Sequence, residues 1–470
     1  MQVSFTVPQK IEKILALLLA NGAAECLFVG GFVRDLLLNN LPNRNGTDNV
    51  NYKDIDIEVY GLTYEKIAAV LRPHFHVGLV GQSFAVIKID NEIDINLPRT
   101  DSKTGTGHKG FEVSSNPNLS PEEAFARRDF TINAIGLRMD GTVFDPFDGC
   151  GDLQRKILRA PTEAFCEDPL RVLRGMQFAA RLGFEMESAT AELCKRVLPE
   201  FKTLSAERVW SEWEKWALKG KHPSKGLQLL KQTGWISCFP EIEALDGCPQ
   251  NPHWHPEGDV FVHTCFVCDE AAEIAAAKDN GGEQLNDEDR TVLLLAALCH
   301  DFGKPQATVL NSKGQWSSRG HAAISAGLAE KFLMRMKPPL RVVKRVVPLV
   351  SEHSIFREEL SERAVRRLSV RLKKASIRLL AELCRADGRG NGNPDDREET
   401  VIQWLKVAEK LGVLDNAPKM ILQGRDLLPL GIEAGRGMGN ILNNAYEAQL
   451  DGEFYDLDGA LHWLEKTQML

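Results

Sequence analysis

Apolar residues recur at helical spacing over Pro8–Ala20, and Glu25–Val29 then forms a short apolar run ending in Gly30-Gly31. The pattern predicts a helix, then a strand running into a turn, with a helix resuming over Val33–Leu38. Asn39–Tyr52, rich in Asn, Pro and Gly, reads as a loop. Ile55-Asp56-Ile57-Glu58-Val59 alternates apolar and charged residues, the period of a half-buried strand. Phe84–Ile89 and Glu92–Leu97 predict a hairpin around Asp90-Asn91, and polar Asp101–Pro121 predicts a mobile loop. From about Ser120 the pattern is almost wholly helical. Stripes at 3.6 spacing run through Pro169–Leu182, Glu207–Leu218, Ser224–Gln232, His263–Ala277, Thr291–Cys299, His321–Met336, Arg363–Val370 and Ala375–Ala386. Loops at Leu245–Gly258 and Arg389–Asp396 supply boundaries. The expected fold is α+β: a small mixed-sheet head (1–155), then an all-α neck (156–245), a third region (246–395) and a tail (396–470).

Composition narrows the class. A chain of 470 residues, 43% hydrophobic, is globular and long enough for about three domains. The apolar run Ile14–Ala20 is far short of the ~20 residues of a membrane span. It lacks the basic flank and cleavage site of a signal peptide, so no membrane association is expected. Ten scattered cysteines read as reduced thiols of a cytoplasmic protein. Cys265 and Cys268 form a lone Cys-x-x-Cys inside a predicted helix and read as buried helix-face residues. Trp235, Trp254 and Trp316 suggest no chemistry. The net charge of −8 is unevenly spread. Arg335–Arg378 holds 13 Lys/Arg against 4 Asp/Glu, and Asp395–Leu470 holds 7 against 14.

Candidate chemistry begins at Asp54 and Asp56, whose spacing puts both carboxylates on one strand face. They line the polar face of an edge strand, or they hold a cation; Mg²⁺ accepts such a pair and completes its shell with phosphate oxygens and water. Gly30-Gly31 lets backbone N–H groups approach a phosphate at a helix start. Arg34 follows one turn later, Asp94 falls on a later strand, and Arg99 comes just after it. Together these match in-line nucleotidyl transfer, in which metals activate the attacking hydroxyl and neutralise the leaving pyrophosphate.

Val29-Gly30-Gly31-Phe32-Val33-Arg34-Asp35 followed by Asp54-Ile55-Asp56 resembles the head of the bacterial tRNA nucleotidyltransferases, the CCA-adding enzymes of the poly(A) polymerase class. Arg127-Arg128-Asp129-Phe130-Thr131-Ile132-Asn133-Ala134, Glu167–Arg174, Glu207–Trp210 and Phe239–Ile242 continue the resemblance in family order. The resemblance implies a triphosphate held at Gly30, Gly31 and Arg34, Mg²⁺ on Asp54 and Asp56, and Asp94 assisting the tRNA 3′-hydroxyl. It implies Arg99 on the nucleotide, Arg128 on phosphate and Asp129 on the ribose. Asp168 and Arg171, three apart on a helical face, would read the edge of CTP or ATP without a template, with Arg174 on phosphate. Taken alone, Asp168–Arg174 also reads as a surface salt-bridge ladder. Asn43–Tyr52 makes the link to the aspartates longer than the family's. Val80-Gly81-Gln82-Ser83-Phe84 resembles the CCA-adding version rather than the poly(A) polymerase one, and the Asp101–Pro121 loop matches the flexible loop used for the final AMP.

A second constellation comprises His263, His300-Asp301, His321, Glu352-His353 and Asp387, with Gly303-Lys304-Pro305 behind the doublet. Its order resembles the HD metal-dependent phosphohydrolases. The resemblance implies one metal site of His263, His300, Asp301 and Asp387, and a second supported by His321 and His353. The donors suit Ni²⁺, Mn²⁺ or Mg²⁺, and the implied activity is phosphatase and 2′,3′-cyclic phosphodiesterase. An HD fold kept as a scaffold is the other reading. The partners implied are tRNA, CTP and ATP, with tRNA read by shape and backbone. Two basic stretches are candidates for phosphate contact: the neck, with 15 Lys/Arg against 11 Asp/Glu over Asp152–Lys231, and the Arg335–Arg378 run. Packing or homodimerisation is left for the acidic tail. Rival activities are poly(A) synthesis, addition of A alone, small-molecule nucleotidyl transfer, and HD phosphohydrolysis with the head only an RNA-binding module.

Overall fold

The computed structural model describes residues 1–40, 55–80, 86–103, 111–277, 284–357, 360–391 and 397–467. The chain forms two compact units, Met1–Trp216 with Lys225–Cys238, and Ala217–Ser224 with Phe239–Leu470.

In chain order the first unit's early strands are β1 (Glu25–Val29), β2 (Ile55–Tyr60), β3 (Val77–Val80), β4 (Val86–Ile89), β5 (Ile93–Asn96), β6 (Arg99–Lys103), β7 (Phe111–Ser115), β8 (Gly136–Leu137) and β9 (Val143–Phe144). Seven of them form a mixed sheet ordered β3-β4-β5-β2-β1-β8-β9. Its parallel pair is β2 with β5. Alternation sorts the faces: Ile55, Ile57, Val59, Ile93 and Ile95 are buried, while Asp56, Glu58, Asp94 and Asn96 share the opposite face. The predicted hairpin is β4–β5; Asp90 and Asn91 both adopt positive φ, as a primed turn requires. Helices Gln9–Ala20 and Gly30–Asn39 match the expected spans.

Two expectations are corrected here. Asp101–Pro121 is not wholly loop, because β6 and β7 pair as an antiparallel ribbon. Backbone hydrogen bonds build such a ribbon, and β6, polar throughout, leaves no apolar period to detect. Likewise β8 and β9, beyond Ser120, extend the head sheet through two-residue strands too short to carry a period. The rest of this unit is helical, with β10 (Ile157–Leu158) and β11 (Glu185–Met186) paired beside helix Leu170–Leu182. Trp235 is a core residue: its indole is fully buried and donates to the Cys194 carbonyl at 2.9 Å.

The second unit packs around helix Asp287–Cys299, in which every residue from Thr291 onward is buried. A helix apolar on all sides belongs at the centre of a bundle. Helices Val260–Ala276 and Ile377–Gly390 pack against it and each other, with Cys265 and Cys268 buried in the former. Gly303 fixes the next contact: a Cβ there would lie 2.3 Å from the His321 carbonyl oxygen and 2.7 Å from Ser325 N. Only glycine lets the chain after His300-Asp301 touch the start of helix His321–Met336 this closely.

The acidic tail packs within this unit, and it meets the basic run. Arg363 and Arg367 bind Asp451 at 2.8 and 2.7 Å, and Arg366 donates to the Leu450 carbonyl at 2.8 Å. Arg371 pairs with Glu352, Arg341 with Glu288, and Arg335 with Glu241. The run expected as a candidate phosphate contact is therefore largely engaged in internal ion pairs. Among the described residues no helix is long and apolar enough to cross a membrane.

Two stability predictions follow from these contacts. Gly303→Ala should cost about 1–3 kcal/mol through a clash with backbone that cannot yield; thermal unfolding checks it, and an unchanged midpoint contradicts the close approach. Asp451→Ala removes the acceptor shared by two half-exposed arginines and should cost about 1 kcal/mol or less. Denaturant unfolding at low and high salt measures it, and the loss should shrink as salt rises.

Candidate functional site

The head site starts from strand register. Parallel pairing sets Asp56 opposite Asp94, and antiparallel pairing sets Lys88 opposite Asp94, so all three stand in a row on one face. Asn96 donates to Asp56 Oδ1 at 3.2 Å, and Lys88 Nζ grips both Asp94 oxygens at 2.7 and 3.0 Å. Gly30, at φ +72°, begins the helix beside them; a Cβ would sit 3.1 Å from Asp56 Oδ2. The glycine turn and the carboxylate therefore share one small space, with Gly31 next along the helix. Asp54 lies outside the described residues, as do Asn43–Tyr52 and most of the Val80–Phe84 motif; Arg99 opens β6, and its side chain lies outside them too.

A cavity of about 410 Å³ adjoins this row, lined among others by Asp56, Asp129, Asp168, Arg171, Arg174 and Arg208. Asp129 is buried and accepts two hydrogen bonds from Arg174, at 2.8 and 2.5 Å, and one from Asn133 at 3.0 Å. Burial alone would raise its carboxyl, but the Arg174 charge and the Asn133 bond overcome that and hold it at about 2. Arg128, also on the wall, pairs with Glu58 and lies over the Phe125 ring at 4.8 Å.

Two expected side chains sit differently. Arg34 does not line the cavity. Its guanidinium is buried, pairing with Asp35 at 2.7 Å and donating to Asn133 Oδ1 at 2.9 Å. It therefore supports Asn133, hence Asp129, where direct triphosphate contact was expected. Asp168 is not on a helical face with Arg171: it precedes helix Leu170–Leu182 in extended conformation. Its Oδ1 accepts from Leu170 N at 3.1 Å and its Oδ2 from Arg208 at 2.7 Å. Arg171 donates to the Ala164 and Arg127 carbonyls at 2.6 and 2.7 Å. Both remain on the wall, each clamped by a different neighbour. Pro169 ends the apparent helical register, because the residue before a proline avoids the α region.

The second unit gathers the other predicted set. His263 Nε2 lies 3.1 Å from Asp387 Oδ1 and 3.4 Å from His300 Nε2. His300 Nε2 lies 3.1 Å from Asp301 Oδ2; His321 Nε2 lies 3.2 Å from Asp301 Oδ1 and 3.1 Å from His353 Nε2. The opposite ring nitrogens are tied away. Nδ1 of His300, His321 and His353 bonds the carbonyls of Ala297, Ser318 and Val350, each at 2.7 Å, and His263 Nδ1 bonds Glu257 at 2.8 Å. Each imidazole thus turns Nε2 to a common centre, the arrangement of a metal-ligand histidine with its outer partner. Burial lowers His353 to about 3, leaving that nitrogen lone pair unprotonated near neutrality. Burial would raise Asp301, yet His300 and Lys304 hold it well below the usual carboxylate range. Imidazole nitrogens and carboxylate oxygens in this proximity fit divalent cations, with Asp301 facing one group through each oxygen.

Sequence reasoning missed several participants. Lys88 and Asn96 were hidden because only the strand register sets them beside the acids. Glu257 accepts from His255 at 2.9 Å as well as from His263, and both bonds hold it at about 2 against burial. The His255-Pro256-Glu257 run six to eight residues before His263 was a readable signal. Lys304, already read in the motif behind the doublet, bridges Asp301 and Gln250, 2.6 Å from each.

Comparison with known proteins matches three stretches of the chain to known families. Residues 26–159 match the Poly A polymerase head domain family, residues 183–245 the family described as "Probable RNA and SrmB- binding site of polymerase A", and residues 260–401 the HD domain family. A multifunctional CCA protein of Vibrio vulnificus (strain CMCP6) is 32% identical over 415 residues, covering 85% of this chain and 94% of its own. Another, of Pasteurella multocida (strain Pm70), is 35% identical over 411 residues, covering 84% and 91%. The solved Bacillus stearothermophilus CCA-adding enzyme in complex with CTP shares the fold at a TM-score of 0.63, with 22% identity and 98% of each chain covered. The Thermotoga maritima CCA-adding enzyme complexed with tRNA gives 0.57 at 21% identity, covering 98% and 96%. The chain thus belongs to the multifunctional CCA protein family, nucleotidyltransferases that carry an HD domain.

Proposed function

We propose that this enzyme adds CMP, CMP and AMP to the 3′ end of tRNA from CTP and ATP without a template, and that its HD site hydrolyses phosphate esters. The observation that carries the first activity is Asp56 set abreast of Asp94 beside a cavity walled by Arg128, Arg171, Arg174 and Arg208. The 3′-hydroxyl oxygen bonds to the α-phosphorus, the bond to pyrophosphate breaks, and Asp94 takes the hydroxyl proton. When bound, Mg²⁺ supplies charge neutralisation for the phosphates, and Asp56 with Asp54 would hold it. Asp129, ionised and fixed by Arg174, accepts from the ribose hydroxyls. Asp168 and Arg171 present an acceptor and donors to the base edge. A cavity of about 410 Å³ holds a single nucleotide, which suits addition one residue at a time. Water, rather than RNA, is the attacking group in the HD site, where His263, His300, Asp301 and Asp387 would hold one cation and Asp301, His321 and His353 another. Mn²⁺, Ni²⁺ and Mg²⁺ all suit those donors. The reading also places the enzyme in the cytoplasm with its tRNA.

The test uses tRNA transcripts ending before CCA, after C and after CC, with labelled CTP or ATP and Mg²⁺. All three should be completed to CCA and no further. No extension overturns the reading, A tails replace it with poly(A) synthesis, and A added only after CC replaces it with an A-adding enzyme. Asp94→Asn should slow extension about 100- to 10,000-fold, the range for removing a general base. Asp301→Asn should abolish phosphate-ester hydrolysis and leave extension intact, while Asp56→Asn does the reverse. Loss of both activities in either variant would contradict two separate centres.

A further inference from the structure

Lys88 stands in the head row beside the acids. Across the sheet the row reads Gly78, Lys88, Asp94, Asp56 and Val29, one residue from each of β3, β4, β5, β2 and β1. Ile87 and Ile89 are fully buried on β4, so alternation turns Lys88 to the polar face. Asp94 therefore has Lys88 on one flank and Asp56 on the other. Gly78, beyond Lys88, adds no side chain to the row.

The side chains divide accordingly. Lys88 Nζ lies 2.7 Å from one Asp94 oxygen and 3.0 Å from the other, so the open end of that carboxylate points at the ammonium. Asp56 has its Oδ1 held by Asn96 at 3.2 Å and its Oδ2 beside Gly30. Glu58, also on this face, is paired with Arg128. The two carboxylates abreast of each other thus face different partners. In a two-ion centre for nucleotidyl transfer, a second divalent ion sits on the side of the attacking hydroxyl and needs an oxygen of the third carboxylate. Here that carboxylate already meets a positive charge through both oxygens, and a divalent ion brought to it would be repelled by the ammonium a few ångströms away. Charge balances without it: Asp54 and Asp56 match one divalent ion, and Asp94 matches Lys88.

We infer that Lys88 is the built-in cation of the attacking side, and that this head works with one divalent ion, on Asp54 and Asp56, where two would otherwise be needed. The inference rests on the nucleotidyl-transfer reading above. Lys88 is a positioning residue: it orients Asp94 and fixes a positive charge beside the group that takes the hydroxyl proton. Each carboxylate oxygen has a second lone pair, so Asp94 still accepts that proton while the 3′-oxygen bonds to the α-phosphorus and the bond to pyrophosphate breaks.

The experiment counts Mn²⁺ bound to the full chain by electron paramagnetic resonance, with α,β-methylene-CTP present, with and without Asp56→Asn. The difference is the number of ions held in the head, because the HD ligands are the same in both. It should be one in the native chain and two in a Lys88→Met background, where Asp94 is released to take a second ion. Lys88→Met should also lower kcat for CMP addition about 10- to 100-fold at low Mg²⁺ and leave the KM for CTP unchanged. Its rate should become second order in Mg²⁺ where the native rate is first order. High Mg²⁺ and Lys88→Arg should each restore most of the loss. The pair is half-exposed, at 37% and 33%, so the thermal midpoint should scarcely move, and Lys88→Gln serves the same test if the Met variant does not fold. A difference of two in the native chain overturns the inference and leaves the nucleotidyl-transfer reading standing. Lys88→Met slowed equally at every Mg²⁺ concentration, or not slowed at all, also overturns it. A native chain that shows the one-ion and two-ion pattern yet extends no tRNA keeps Lys88 as the second cation and loses the nucleotidyl-transfer reading.

Discussion

Asp56 and Asp94 repel each other, and the parallel pairing of β2 with β5 holds them abreast all the same. Like charges a few ångströms apart cost on the order of several kcal/mol near a protein surface unless compensated. The buried isoleucines behind them, Ile55, Ile57, Ile93 and Ile95, keep that register, because a one-residue slip would turn the apolar row to solvent. Lys88 offsets part of the repulsion from the third strand of the row. A divalent cation between two such carboxylates would relieve repulsion of this kind.

The HD centre solves the same problem with different chemistry. Asp301 is buried beside four imidazoles and an ammonium, with Asp387 close to two of those rings. Carbonyl oxygens hold three ring Nδ1 atoms and Glu257 the fourth, which fixes each tautomer. Gly303 allows the backbone approach that brings His321 to Asp301. Precision in both centres comes from groups outside them: an asparagine and a lysine in one, carbonyls and a glutamate in the other.

Charge distribution changes meaning once the fold is in view. The Arg335–Arg378 run looked available to RNA, yet the tail, Glu352, Glu288 and Glu241 take up many of its guanidinium groups. In the first unit, by contrast, Arg128, the Arg171–Arg174 pair and Arg208 converge on one cavity from three separate stretches of the chain. What matters for an anion is where positive groups meet, and a running charge count does not record that.

Periodicity and motif order were enough to locate strands β1, β2, β4 and β5, most helical spans, the acidic positions Asp56 and Asp94 and the histidine–aspartate set, because these are local in sequence or strung at the ends of apolar helices. They did not show the β6–β7 ribbon, whose bonds lie in the backbone. They also left hidden the relay from Arg34 through Asn133 to Asp129, the separation of Asp168 from Arg171 by a proline, and the tail on its arginines. Apart from the proline break, which is local, these depend on contacts between residues apart in the chain, most of them polar, and a hydrogen bond leaves no period. The sequence by itself determined which chemistry the chain carries. Tertiary structure alone decided which charged side chains face a cavity and which are spent holding it in shape, since that choice turns on packing between elements brought together only by folding.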